Sequence, residues 1–115
     1  MPLTVKARTT GEIIATGKAQ DTVIPFEGNW YFAPENVNMQ HLKVTQRTYT
    51  CPYKGVCFWI DLETPNGYSQ NIAWVYNNPK PGYEFIKDQL GFYARNTSGT
   101  IVEETEDHRE AASTI

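Results

Sequence analysis

The stretch that most restricts how this chain can fold is residues 43–76, where three β-forming runs are separated by two short turn signals. KVTQRTYTC (43–51) alternates Val44, Gln46, Thr48 and Thr50 against Thr45, Arg47, Tyr49 and Cys51, the two-residue period of a strand. After PYKG, VCFWIDLE (56–63) reads as a second strand. Thr64-Pro65-Asn66-Gly67 then presets φ at its proline and offers Asn and Gly to the left-handed region, so YSQNIAWVY (68–76) returns antiparallel. Strands joined this closely form a meander.

The flanking segments are read the same way. TVKARTT (4–10) and EIIAT (12–16), parted by Gly11, form an N-terminal hairpin. Pro25 marks TVIPFEG (22–28) as an edge strand or a strand end. WYFAPENVNMQHL (30–42) starts as an aromatic strand, and Pro34 opens a short helical turn with Glu35 near its N-terminus. In YEFIKDQL (83–90), Phe85, Ile86 and Leu90 give one face of a one- or two-turn helix stopped by Gly91. GFYARNT closes the fold as a last short strand. The expected architecture is all-β and mainly antiparallel, a compact two-layer or barrel-like curled sheet with one or two short helical turns.

With 115 residues, 40% of them hydrophobic and 13% aromatic, the chain supports one domain, assigned to residues 1–95. Residues 96–115 are expected to be an acidic, poorly ordered tail, with a helical turn near 103–112. The net charge of −3 is uneven: from Glu103 onward five acids face Arg109 alone, which leaves the body at +1. A body so nearly neutral lacks the clustered Lys and Arg that nucleic-acid binding leans on. No run approaches the roughly 18 apolar residues of a membrane span, and the N-terminus has no signal-like apolar region, so the expected compartment is the cytoplasm. Cys51 and Cys57 are then reduced thiols. A regular hairpin with residues 52–55 as its loop places them on opposite faces.

Several strings resemble one family. Pro34-Glu35-Asn36-Val37, Cys51-Pro52-Tyr53-Lys54-Gly55, Ala73-Trp74-Val75-Tyr76 followed by Asn78-Pro79-Lys80-Pro81, and Gly91-Phe92-Tyr93 together resemble the domain of unknown function 427 family over about residues 5–95. The resemblance implies a small, soluble, mainly β domain with no settled reaction, and it singles out Cys51, Lys54, Trp74 and Tyr76 as a set. Descriptions of such domains as nucleotidyltransferases find little support in these residues. That chemistry needs a Gly-Ser motif and clustered acids for Mg²⁺, whereas the close acid pair, Asp61 and Glu63, lies beside a hairpin turn where solvated charge is expected.

Two chemistries remain for the residues themselves. Nine aromatics, Trp30, Tyr31, Phe32, Tyr49, Tyr53, Phe58, Trp59, Trp74 and Tyr76, exceed what one small dry core needs, so some of them line a groove for a small apolar or planar ligand near the CPYKG turn. In that reading Tyr53, Lys54, Trp74, Tyr76 and Arg47 bind the ligand: Tyr53 and Trp74 stack, Lys54 and Arg47 hold an anionic group, and Cys51 packs the floor. The alternative is a cysteine-dependent enzyme or redox sensor, with Cys51 as nucleophile, Lys54 as activating cation and His41 as base. A third reading is a protein-interaction module using a sheet edge or the acidic tail, with a dimer among the arrangements left open. Cys51 and Cys57, with five residues between them and without a further Cys pair, do not make a zinc site, and no cofactor is implied.

Overall fold

Pairing, more than any single run, decides where each residue faces. In the computed structural model of the protein, which describes residues 2–65 and 67–104, nine strands form two sheets, and all pairings between strands are antiparallel. The smaller sheet has the order β2-β1-β9, from β1 (Pro2–Ala7), β2 (Ile13–Lys18) and β9 (Thr100–Glu104). The larger has the order β3-β4-β8-β7-β6-β5, from β3 (Val23–Phe26), β4 (Asn29–Phe32), β5 (Leu42–Cys51), β6 (Gly55–Thr64), β7 (Gly67–Val75) and β8 (Leu90–Tyr93). It ends in two open edges, β3 and β5, and so is not closed into a barrel. The meander appears as β5-β6-β7, and Pro25 sits in edge strand β3, where a missing N–H costs no central ladder bond.

Strand period gives the six-stranded sheet two different faces. Phe32, Ile60, Val75 and Phe92 point to the inner face and pack with Val5 and Ile14 of the smaller sheet. Burial of side chains of this kind stabilises the fold by about 1.5–3 kcal/mol each. Tyr31, Trp59, Trp74 and Tyr93, one residue out of phase, belong to the opposite face.

Four expectations are corrected by these pairings. The Pro34 turn is present as a 3₁₀ turn over Pro34–Asn36, but YEFIKDQL forms only a single 3₁₀ turn, Glu84–Ile86. Asp88 then takes φ +60°, which breaks the helical path, and Gly91 lies within β8 instead of capping a helix. Residues 100–104, expected in the tail, are β9, which pairs with β1 from Leu3 to Ala7. Its acids hid its pattern, yet Thr100 is buried, Val102 packs on the core, and Glu103 pairs with Lys6 at 3.1 Å. Residues 96–99 lead into β9, with Thr97 Oγ1 accepting from the Thr100 N–H at 3.1 Å, and residues 105–115 lie outside the described residues.

The third correction concerns the hairpin. Gly55, at φ +107°, pairs with Cys51, so the loop is residues 52–54 and Cys57 lies opposite Tyr49. A slip of one residue inverts every side chain. Cys51 and Cys57 therefore share the outer face, as free thiols.

The fourth is Asp61, which is 2% exposed and not solvated. Both neighbouring strands bulge near it: Ser69 to Ala73 of β7 spans only Leu62 to Ile60, opposite Asp61 itself, and Val44 to Thr48 of β5 spans only Ile60 to Phe58, opposite Trp59. The bulged segments aim Arg47 and the Asn71 backbone N–H at its carboxylate, the latter at 2.9 Å, and it also accepts from the Tyr68 hydroxyl.

Candidate functional site

A line of cross-strand partners on the outer face builds the site. Trp59 of β6 lies opposite Trp74 of β7, Trp74 opposite Gly91 of β8, and Gly91 opposite Tyr31 of β4. Glycine is required in that line, because a Cβ on Gly91 would stand 2.5 Å from Trp74 Cε2. The indole instead lies across the bare backbone, and its Nε1 donates to the Tyr31 hydroxyl at 3.1 Å. Trp74 is also the hub of edge-on ring contacts, 6.1 Å from Trp59, 6.2 Å from Tyr31 and 4.9 Å from Tyr93. Such packing holds rings rigidly, at about 0.5–1.5 kcal/mol per pair beyond area burial.

Among the described residues no second sheet covers the outer face. One end is covered by the 77–89 segment, which inserts Ile86 and brings Phe85 edge-on to Phe26 at 5.0 Å. Beside that cover a hollow of about 190 Å³ stays open. Six rings line it: Tyr31, Tyr49, Trp59, Trp74, Tyr76 and Tyr93. Asn29, Lys54 and Cys57 add polar atoms to its wall.

Lys54 reaches the hollow from the 52–54 loop. Its side chain is only 13% exposed, and its ammonium pairs with the Glu27 carboxylate in the β3–β4 turn. It also lies 5.9 Å from the Phe26 ring and 6.0 Å from that of Tyr76. Burial pulls the Lys54 pKa down, but hydrogen bonding to Glu27 and the nearby negative charge outweigh it, so the group is held above its ordinary range. Lys54 is therefore a fixed cation, a donor and not a nucleophile.

The two thiols have opposite characters. Burial raises Cys51, yet the backbone N–H groups of Lys54 and Tyr53 and the Lys54 ammonium outweigh it, and the net shift is downward. Its sulfur accepts from the Lys54 backbone N–H at 3.4 Å. Cys57 is pushed upward by burial, only partly offset by a hydrogen bond with the Tyr76 hydroxyl. Burial likewise raises Tyr76 and Tyr31, so both phenols stay protonated.

Of the residues singled out from sequence, Lys54, Trp74 and Tyr76 meet in this hollow. Cys51 packs in the same cluster beneath the loop, among Cys57, Tyr76 and Ile86. Three others lie elsewhere. Tyr53 is 71% exposed and does not line the hollow. Arg47 is committed to Asp61 and to Asn71 Oδ1, the latter at 2.9 Å, so it is a structural counter-ion. His41 precedes β5, at the end of that strand away from Cys51, with Nε2 3.7 Å from the Glu12 carboxylate. Tyr93, Glu27 and Gly91 escaped the sequence reading as site residues. The available signal was phase: Tyr93 shares the alternation of Gly91, and Tyr31 that of neither Trp30 nor Phe32.

A rigid aromatic hollow with one cation in its wall is suited to stacking a flat group and hydrogen bonding its edge. Among the described residues no group of three or more His, Cys, Asp or Glu is placed to hold a metal ion, and no helix is long and apolar enough to cross a membrane.

Comparison with known proteins agrees with this architecture. A family model described as a domain of unknown function (DUF427) matches residues 1–104, a span that takes in β9. No curated protein matches the chain. Among solved structures it is similar to one titled crystal structure of the Mis18 "Yippee-like" domain, at 12% identity and a TM-score of 0.65. The likeness covers 93% of this chain and 100% of that one, and at such identity it speaks for the fold.

Proposed function

This chain belongs to the DUF427 family of domains of unknown function, and we propose that it is a binding domain that takes a small planar group into the aromatic hollow beside the CPYKG loop. The observation that carries this reading is the hollow itself, about 190 Å³ with six ring walls. Drug-sized sites run about 300–1,000 Å³, whereas an engineered apolar cavity of about 150 Å³ accepts benzene. The ligand, or the part of it that enters, is thus about one ring in size. Tyr31, Tyr49, Trp59, Trp74, Tyr76 and Tyr93 give it faces and edges to stack on, and Lys54 gives it a donor.

A screen of one-ring fragments by protein-observed NMR tests the reading. Backbone shifts are expected at Trp59, Trp74 and Tyr93 on titration, and Trp74→Ala is expected to abolish them. Fragments that shift other surfaces, or that bind Trp74→Ala unchanged, would refute it.

The lowered Cys51 thiol supports a second reading, a cysteine-dependent reaction or redox response with Lys54 as the activating cation. Alkylation rate against pH separates the two. Rapid labelling with an apparent pKa below about 8.5 favours the thiolate reading, and slow labelling at or above that value removes it.

A further inference from the structure

The charges around the hollow restrict what the bound ring carries. Lys54 lines the wall itself. A second cation, Arg95, stacks on Tyr93, with its guanidinium carbon 4.7 Å from the centroid of that lining ring. Against these stands the Glu27 carboxylate, which is 46% exposed and pairs with Lys54. An ammonium has three N–H donors. Glu27 accepts one of them, which leaves donors for a guest.

Aromatic hollows often select methylated ammonium groups, because ring faces attract cations. Here the protein has supplied its own cation, at 5.9 Å from Phe26 and 6.0 Å from Tyr76. A second positive charge in the same space meets like-charge repulsion in a partly desolvated site. An anionic acceptor meets the Lys54 cation and a charge-assisted hydrogen bond from it.

We propose that the hollow selects a planar ring bearing a carboxylate or equivalent anionic acceptor, held by Lys54, and that Glu27 is the built-in competitor for that cation. This rests on the binding reading above. Guest and Glu27 bind the same ammonium, so weakening one strengthens the other. Lys54 remains protonated throughout, since its pKa is held upward by Glu27 against the effect of burial.

Three probes of one shape class decide the matter by calorimetric or NMR titration of the full chain: benzoate, benzamide and phenyltrimethylammonium. Benzoate is expected to bind about tenfold more tightly than benzamide, and phenyltrimethylammonium more weakly than either. Lys54→Met is expected to bring the benzoate-to-benzamide ratio to about one while benzamide binding persists. Glu27→Gln, at an exposed position, is expected to raise benzoate affinity severalfold and benzamide affinity by less. Equal binding of benzoate and benzamide, tighter binding of phenyltrimethylammonium, or a Glu27→Gln protein with unaltered benzoate affinity each overturn the proposal and leave the binding reading standing. Binding of none of the three removes the hollow as a site and this proposal with it.

Discussion

On the inner face of the six-stranded sheet Phe32, Ile60, Val75 and Phe92 carry no polar side-chain atom and lie sealed under the smaller sheet; on the outer face Tyr31, Trp59, Trp74 and Tyr76 carry hydroxyls or indole N–H groups and wall an open hollow. Both sets come from the same strands in alternate positions. The difference lies in what each face must satisfy. A purely apolar face is stable only when another layer excludes water from it. A face of rings with polar tips tolerates an open edge, because each tip finds a neighbour or water. The far part of the outer face follows the same logic with a charge: Asp61, two residues beyond Trp59 on β6, is held by donors from the bulged segments of both neighbouring strands.

Adjacent residues on β8 give the harshest test of this contrast. Phe92→Ala, on the sealed face, is expected to destabilise the protein by about 3–5 kcal/mol in chemical denaturation. Tyr93→Ala, at the open hollow, is expected to cost about 1–2 kcal/mol. Equal losses would mean that the two faces do not differ in the way described. Asp61→Ala comes next, at about 3 kcal/mol, because Arg47 and the Asn71 N–H lose their acceptor. Burial works to raise the Asp61 pKa, but Arg47, Tyr68 and Asn71 outweigh it and hold the carboxyl below its ordinary value. Its contribution is therefore fully present above the unfolded value of about 3.9 and is lost as pH falls through the lower folded value. Wild-type stability should drop on acidification below about pH 4 more steeply than that of Asp61→Ala, as thermal melts across that range will reveal.

Gly91→Ala is expected to cost about 1–3 kcal/mol and to move the Trp74 indole N–H resonance, since the new methyl occupies the space over which the ring lies. An unmoved resonance would show that the sheet yields instead of the indole. The smallest effect belongs to Tyr53→Ala, within about 0.5 kcal/mol and with no change in fragment binding, because its ring stands in solvent beside the hollow. Loss of binding in that variant would redraw the rim of the site.

Much of the sheet was legible because its cues are local. The β-branched and aromatic runs, Pro25 at an edge and the Pro34 turn all report on their own backbone. The hollow was legible only as an aromatic surplus. Its members are sorted by phase, and phase depends on a register that Gly55 sets by taking φ +107° opposite Cys51. Reading Val56 as that partner sends Cys57 to the wrong face. Arg47 was misplaced for a related reason: neither bulge flanking Asp61 has a sequence mark, so a basic residue on an exposed strand resembled a ligand contact. β9 was lost because its inward residues, Thr100 and Val102, are small among acids, and its order comes from β1 and from the Asn96 side chain, which accepts from the Val102 N–H at 2.9 Å.

The division of the tryptophans between the two faces gives the protein its own optical instrument. Trp30 is enclosed on the inner face, whereas Trp59 and Trp74 face one another at 6.1 Å in the wall of the hollow. Emission from Trp30 should stay blue-shifted and insensitive to aqueous quenchers, an internal constant. Light from the other two, and the near-ultraviolet dichroism of such a close indole pair, should change whenever the hollow fills, so occupancy can be followed in unlabelled protein.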